Sequence, residues 1–511
     1  MEASLVDYHV ADAWDEIVDT DGSIRPAYRE VVDSLRSMRG EDLRGRAEQL
    51  ARTFTERGVT YAYGGVERPF PLDPVPRIIE AAEWAQLSAG VIQRVRALEC
   101  FLNDAYTEGV VFNEGIIPRR LITSSPEFNR AAVGITPPNG VRIQVAGIDV
   151  IRDERGGLRV LEDNVRIPSG VSYVMENRRA MTRTLSGLFS GRSVLPVDLY
   201  PQRLLNALKQ AAPVGVHDPV IAVLTPGVHN AAYFEHSLLA RRMGIELVEG
   251  RDLVCHSNKL YMRTTSGEAR VDVIYRRVDD GFLDPLHGNP SSLIGVAGLF
   301  NAARAGNVTI ANAVGNGIAD DKLMYTYVPD LIRFFLDEEP ILDNVETHRL
   351  EDRDVLIEVA ADIGNYVIKP VDGAGGAGIV IGPQADDETL AATREAIIAA
   401  PRRFIAQRVV AISTHPTLIE GNLAPRHIDL RPFCVNDGNS VWVLPGGLTR
   451  VALPEGALVV NSSQGGGSKD TWVIADHGPG DSAISTPTPW RAVPETVRQD
   501  GPSSLNRSDQ Q

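Results

Sequence analysis

The chain has 511 residues, 43% of them hydrophobic and 23% charged, enough for several domains around a large buried core. Its formal net charge of -16 excludes an extended nucleic-acid-binding surface, which needs a basic excess, and leaves room only for a small, locally held polyanion. Three cysteines, Cys100, Cys255 and Cys434, lack the paired spacing of a disulfide framework or a zinc site. The start, Met1 to Asp7, lacks the basic and apolar regions of a signal peptide, and no apolar run is long enough to span a bilayer. A soluble, cytoplasmic protein with no nucleic-acid or membrane partner is therefore expected.

In chain order, residues 27–59 alternate apolar and charged positions at helical spacing (Val31, Leu35, Met38; Leu43, Leu50, Phe54), which predicts an outer helical pair. The proline-spaced run Phe70 to Pro76 reads as a connector, because it cannot lie inside a helix. A long helix is expected over 77–103, with Ile78, Trp84, Leu87, Val91, Val95 and Leu98 on one face. Residues 143–152 and 158–164 then alternate as two strands around Asp153-Glu154-Arg155-Gly156-Gly157. Glu162 and Asn164, two apart, share a face, and Asp149 on the partner strand can lie opposite them. Two carboxylates and an amide form an oxygen-only set that suits Mg²⁺ held jointly with phosphate oxygens; the alternative is a solvated hairpin edge.

The continuous apolar run Val220 to Leu224, a helix over 231–243 and a strand from Gly244 form a βαβ unit. Its turn, Thr225-Pro226-Gly227, lacks the glycine spacing of a dinucleotide site. A further strand, Val271 to Tyr275, ends at Arg276-Arg277, where open α/β sheets bind ligands. Alternation sends these arginines to opposite sides, so one can reach a site while an ion pair with Asp279 or Asp280 remains the alternative. Thr309 to Asn312 reads as a strand, and Asp320-Asp321-Lys322 opens a helix with acids in its first turn.

The run Tyr366-Val367-Ile368-Lys369-Pro370 is a strand that delivers a lysine, followed by Gly373, Gly375, Gly376 and Gly378 and a second strand, Ile379 to Ile381. Such glycines let backbone N–H groups approach an anion closely, and the lysine adds charge beside them. The order is not that of a P-loop, whose lysine follows the glycines. A phosphate cradle and a flexible hairpin with a surface lysine both fit the glycines alone. Beyond a helix over 388–399, the strand Arg403 to Val410 carries Gln407 and can pass beside a nucleobase. The strand His427 to Phe433 puts His427, Asp429 and Arg431 on one face, with Val441 to Pro445 pairing across Asp437-Gly438-Asn439. Ser462 to Asp470 is glycine-rich, a substrate loop or a linker, and residues 476–511 read as a disordered tail.

The ordered set Lys322, Lys369 with its glycines, Gln407 and Asp429-Leu430-Arg431 resembles the ATP-grasp superfamily. The metal strand Glu162-Asp163-Asn164, which normally comes last, here comes first. That order resembles the circularly permuted ATP-grasp family, related in its metal site to glutathionylspermidine synthetases. Gly147-Ile148-Asp149, Tyr275 to Asp280, Pro445 to Arg450 and Gln464 to Trp472 carry the same likeness, which spans residues 60–475. One departure is Arg408, where the family's hinge usually has an acid.

The resemblance implies an α/β (α+β) permuted ATP-grasp fold. Its expected parts are an N-terminal helical region (1–110), a metal-site half (111–195), a Rossmann-like subdomain (196–312), a lid with the remaining core (313–475) and the tail. It implies ATP held by Lys322, Lys369, Gly373, Gly375, Gly376, Gly378, Gln407 and Asp429, with Mg²⁺ on Asp149, Glu162 and Asn164. Arg431, Arg276, Arg450 and Lys469 would serve the reacting groups. The activity implied is an ATP-dependent carboxylate–amine ligase acting on small-molecule or peptide substrates. A kinase on the same fold and a non-catalytic ATP-binding scaffold are the alternatives.

Overall fold

A computed structural model describes residues 8–11, 13–38, 40–63, 66–371, 378–458, 460 and 466–475. Gly373, Gly375 and Gly376, much of the Ser462 to Asp470 run, and the tail lie outside these residues. The chain is a mixed α/β protein built on a ten-stranded sheet. Its main path runs Asp343–Asn344, Leu158–Asn164, Val145–Arg152, Asn422–Arg431, Leu448–Val451, Gly467–Val473 and Leu72–Ile79. Strands from both ends of the sequence thus interleave in one sheet. The helix Ala81–Ala105 lies in one large apolar cluster, with Leu87, Val91, Val95 and Phe101 fully buried. Gly40–Glu56, Val171–Thr184 and Tyr200–Gln210 contribute to a second.

The expected helical pair forms as Arg29–Ser37 and Gly40–Glu56. The Phe70 to Pro76 run is not a connector. It is part of strand Leu72–Ile79, which pairs in parallel with Gly467–Val473 and ends the sheet path. Prolines are tolerated there because an edge strand needs donors on one side only, and Pro74 and Pro76 fall where the register is irregular. The helix that follows accordingly begins at Ala81, not Arg77, and Ile78 belongs to the strand. The strand expected from His427 to Phe433 is interrupted at Pro432; Val441–Val443 pairs with its continuation, Phe433–Asn436.

A separate four-stranded parallel sheet, in the order Thr309–Ala311, Val273–Arg276, Ile221–Leu224, Glu246–Val248, forms around the βαβ unit. A three-stranded antiparallel meander over Leu253–His256, Lys259–Thr264 and Gly267–Val271 was not anticipated.

The segment expected as a lid carries a second four-stranded sheet, Thr347–Arg349, Phe404–Arg408, Tyr366–Pro370 and Val380–Ile381, all antiparallel. It has its own small core of Leu350, Val359, Ile363, Tyr366, Ile368, Ile397 and Ala406. Where the lid joins the body, Val345 and Ile412 pack on Ile151 of the hairpin.

Candidate active site

A cavity of about 500 Å³ opens between the lid sheet and the hairpin, within the range usual for small-molecule sites. Its polar wall begins with the hairpin register, in which Asp149 stands opposite Glu162 and Gly147 opposite Asn164. Antiparallel pairing places Asp429 opposite Arg450 on the next two strands, and Arg431 follows two residues on, with its side chain on the same face. Asp149, Glu162, Asn164, Asp429, Arg431 and Arg450 all line the cavity.

Arg431 grips Asp149 with both arms of its fork, Nε to Oδ1 at 2.5 Å and Nη2 to Oδ2 at 2.7 Å. Arg450 Nη2 reaches the same carboxylate at 2.6 Å, and its Nε donates to Asp429 at 2.9 Å and 3.1 Å. Two carboxylates and two guanidiniums therefore form a neutral, interlocked quartet. Burial alone would raise the Asp149 carboxyl, but the two guanidiniums outweigh it and hold it at about 2. For Asp429 burial dominates and pushes the carboxyl up despite Arg450. Asp149, expected as a metal ligand, thus has both oxygens engaged by arginines. Glu162 and Asn164 remain as hard oxygen donors on the wall, and the Asn164 Nδ2 is buried without a hydrogen-bond partner. Among the described residues no group of three or more His, Cys, Asp or Glu is arranged to hold a metal ion.

The lid supplies Lys369, 8% exposed, from a strand in register with Gln407's strand. Burial pushes its ammonium down to about 8, aided by Lys322 and opposed by Glu162 and Asp149. Lys322, Lys369, Glu162 and Gln407 also border a smaller recess beside the main cavity. Lys322 begins the short helix Lys322–Tyr325, whose cap is Asp321 accepting from the Leu323 N–H at 2.8 Å. Gln407 is buried, with Nε2 on Thr347 Oγ1 at 2.9 Å. Around it Val367, Ile379, Ile381, Val409 and Ile412 make an apolar slot. Arg408 borders the cavity, reaches toward Glu346 and Glu358 and lies over the Tyr366 ring, its centroid 5.2 Å away. Gly378 closes the glycine run at φ +72°, and a Cβ there would meet Pro370 Cγ at 2.9 Å.

Three expected residues are elsewhere: Gly378 borders a separate hollow with Ile368, Val380 and Phe404, and two others are internal. Arg276 is fully buried and spends its guanidinium on the carbonyls of Asn312 (2.8 Å), Ala313 (3.0 Å) and Val278 (3.2 Å) and on Asp280 (2.5 Å). The ion-pair alternative describes it. Lys469 is likewise fully buried, with Nζ on Asp73 Oδ1 at 2.5 Å and the Pro416 carbonyl at 2.9 Å. Its strand packs along Leu72–Ile79, so the ammonium neutralises an interior carboxylate rather than facing the cavity.

Wall residues not anticipated from the sequence include Arg166, Asp320, Ser169, Tyr61 and Asp279. Arg166 continues the i, i+2 series of Glu162 and Asn164, a signal present in the sequence. It meets Glu127 at 2.8 Å, Asp279 at 3.1 Å and Asp320 at 3.6 Å. Asp320, assigned above to the helix dipole, instead accepts the Val165 N–H at 2.6 Å, and burial pushes it up to about 7.

An oxygen-rich hairpin, a strand of paired acids and arginines, and a lysine-bearing antiparallel sheet facing one cavity make this a protein of ATP-grasp type. Residues 76–452 match the model of circularly permuted ATP-grasp type 2, and the chain belongs to that family. It is 59% identical over 463 residues to an uncharacterized protein of Mycobacterium tuberculosis, covering 91% of this chain and 84% of that one. An uncharacterized Synechocystis protein is 47% identical over 477 residues, 92% of this chain and 98% of its own. A putative glutamate–cysteine ligase of Frankia alni is 44% identical over 473 residues; the chain spans 54% of that relative's length. Among solved structures, a glutathione synthetase-like effector from Globodera pallida, in apo form, aligns with a TM-score of 0.56 at 12% identity. It covers 86% of this chain and 98% of its own, a likeness of fold alone. No helix among the described residues is long and apolar enough to cross a membrane.

Proposed function

We propose that the chain is an ATP-dependent carboxylate–amine ligase that forms an amide or peptide bond through an acyl phosphate. The observation that carries this reading is the meeting, in one cavity, of Lys369 and Gln407 from the lid with Glu162, Asn164, Asp429, Arg431 and Arg450 from the body. A triphosphate and a carboxylate repel each other, and bringing them into reach requires cations fixed in advance on both sides. Lys322 and Lys369 serve the phosphates. The apolar slot beside Gln407 takes the adenine.

Glu162 and Asn164 would hold Mg²⁺, an oxygen donor pair suited to a hard cation. When bound, the ion would offset the charge on the phosphates. Asp149 acts through the arginines it orients. Arg431 and Arg450, fixed by Asp149 and Asp429, present cationic edges toward the carboxylate substrate.

The substrate carboxylate oxygen attacks the γ-phosphorus, and the bond to the ADP oxygen breaks. The neutral amine nitrogen then attacks the acyl carbon, phosphate leaves with the former carboxylate oxygen, and the nitrogen's surplus proton passes to the departing phosphate or to water. No side-chain nucleophile is needed, so catalysis is positioning and electrostatics. Amino acids belong in the substrate pool because the Frankia relative is named for glutamate and cysteine, with the chain matching half of it.

Incubation with Mg·ATP, an ¹⁸O-labelled carboxylate and amines tests the reading. One ¹⁸O per released phosphate is expected. A phosphorylated product that persists indicates the kinase instead, and unlabelled phosphate beside an amide excludes the acyl phosphate.

A further inference from the structure

The segment from Val165 to Gly170 joins the hairpin strand to helix Val171–Thr184 and forms part of the cavity wall through Arg166, Ile167, Pro168 and Ser169. It has no regular structure of its own, so its backbone groups must find partners elsewhere. Most of those partners come from the part of the chain that carries the parallel sheet and from the short helix Gly317–Asp320 just after it. Asp320 accepts from the Val165 N–H at 2.6 Å, and Asn312 Nδ2 donates to the carbonyls of Val165 and Arg166 at 2.9 Å and 3.2 Å. Glu235, fully buried on helix Tyr233–Met243, accepts from the N–H groups of Gly170 at 2.8 Å and Ser172 at 3.0 Å.

Arg277, 4% exposed, completes the arrangement. Its Nη2 donates to Ser169 Oγ at 2.6 Å and to Glu235 Oε1 at 3.2 Å, and its Nη1 donates to the Tyr275 hydroxyl at 3.2 Å. The Arg276-Arg277 pair at the strand's carboxyl end therefore divides: the first arginine is internal to its own subdomain, and the second reaches the cavity wall. From there one contact leads to the chemistry, since the Ser169 carbonyl accepts from Arg431 Nη1 at 3.2 Å while the rest of that guanidinium clasps Asp149.

We propose that the buried Arg277–Glu235 pair is a positioning device, by which the parallel-sheet subdomain sets the Val165-to-Gly170 wall and, through Ser169, the aim of Arg431. The proposal rests on the ligase reading for its kinetic consequence, though not for its structural one. The pair is more elaborate than support of the fold requires. Two charges buried together are costly, whereas an apolar pair of similar volume would pack without that cost. What the charges supply is direction: the planar fork fixes the Ser169 hydroxyl, and the carboxylate fixes the Gly170 and Ser172 N–H groups where the loop enters its helix.

Arg277→Lys, Arg277→Met and Glu235→Gln test it in the full chain. Hydrogen exchange at the Gly170 and Ser172 amides should accelerate by about tenfold or more in Glu235→Gln, with the amides of Ile221–Leu224 unchanged. In the Mg·ATP assay, ADP release at saturation should fall by about a hundredfold in Arg277→Met and less in Arg277→Lys. KM for ATP should move by no more than about twofold, because the apolar slot lies on the other side of the cavity.

Unchanged exchange at the two amides, or loss of protection spread equally over the parallel sheet, overturns the proposal. So does a rise in KM for ATP with ADP release at saturation intact. If the wild-type chain releases no ADP with any acceptor, the ligase reading fails, and the exchange measurement still decides the positioning role.

Discussion

Replacing Lys469 by methionine separates a structural lysine from a catalytic one. Its ammonium is fully buried and has three oxygen partners: Asp73 at 2.5 Å, the Pro416 carbonyl at 2.9 Å and the Val75 carbonyl at 3.4 Å. Methionine fills a similar volume, so the loss is electrostatic. Asp73 keeps the N–H groups of Val75 (2.9 Å) and Leu418 (2.7 Å) but loses its counter-charge. Removing one partner of a buried pair costs about 3–5 kcal/mol. Against a total stability of roughly 5–15 kcal/mol that is a large fraction. Urea unfolding followed by the fluorescence of Trp472, three residues along the strand, should show a clearly lower midpoint. Adding Asp73→Asn should recover part of the loss, since the unpaired charge goes with it. Below the transition, ATP-dependent ADP release should stay within a few-fold of wild type. A Lys469→Met protein as stable as wild type but inactive would refute the reasoning and return Lys469 to the site.

Four further outcomes follow from other parts of the molecule. Lys369→Met should weaken ATP binding by about 10- to 100-fold in calorimetry, as expected for a charge-assisted contact, while the urea midpoint holds. Because burial lowers the Lys369 ammonium to about 8 and phosphates favour its charged form, ATP affinity should be level below pH 8 and fall by up to about tenfold per unit above it. Lys369→Met should lack that limb. Glu16 is held down to about 2 because Arg152 and Arg77 outweigh its burial. Its stabilisation is present above its ordinary value of 4.5 and lost as pH falls toward 2, worth about 3 kcal/mol; Glu16→Gln should remove that part of the acid dependence. Gly378→Ala, at φ +72° and against Pro370, should cost about 1–2 kcal/mol locally and slow ADP release without lowering the global midpoint.

Local pattern was legible where one periodicity governed both neighbours. The Asp149 and Glu162 pairing followed from alternation on either side of a glycine turn, and the βαβ unit from a continuous apolar run. The Asp429 and Arg431 positions followed from the same period of two. What alternation cannot show is which long side chain answers which charge. Arg431 and Asp149 are 282 residues apart, and Arg450 and Asp149 are 301 apart. Only the sheet order brings them together, and it turns an expected metal ligand into the holder of two arginines. Lys469 misled for a related reason: its role was implied by the family resemblance, and nothing nearby in sequence announces Asp73 in a parallel edge strand. Phe70 to Pro76 misled because prolines bar a helix but not an edge strand. The parts played by Glu235 and Arg277 depend on three-dimensional packing alone.

The central claim is chemical, and the nucleotide product decides it most directly. The chain should be incubated with Mg·ATP and a pool of amino acids, peptides and polyamines, with nucleotides separated by chromatography and new products weighed by mass spectrometry. The account predicts ADP and phosphate in equal amounts with a new amide, all reduced together by Lys369→Met at limiting ATP. AMP and pyrophosphate in place of ADP and phosphate would contradict it.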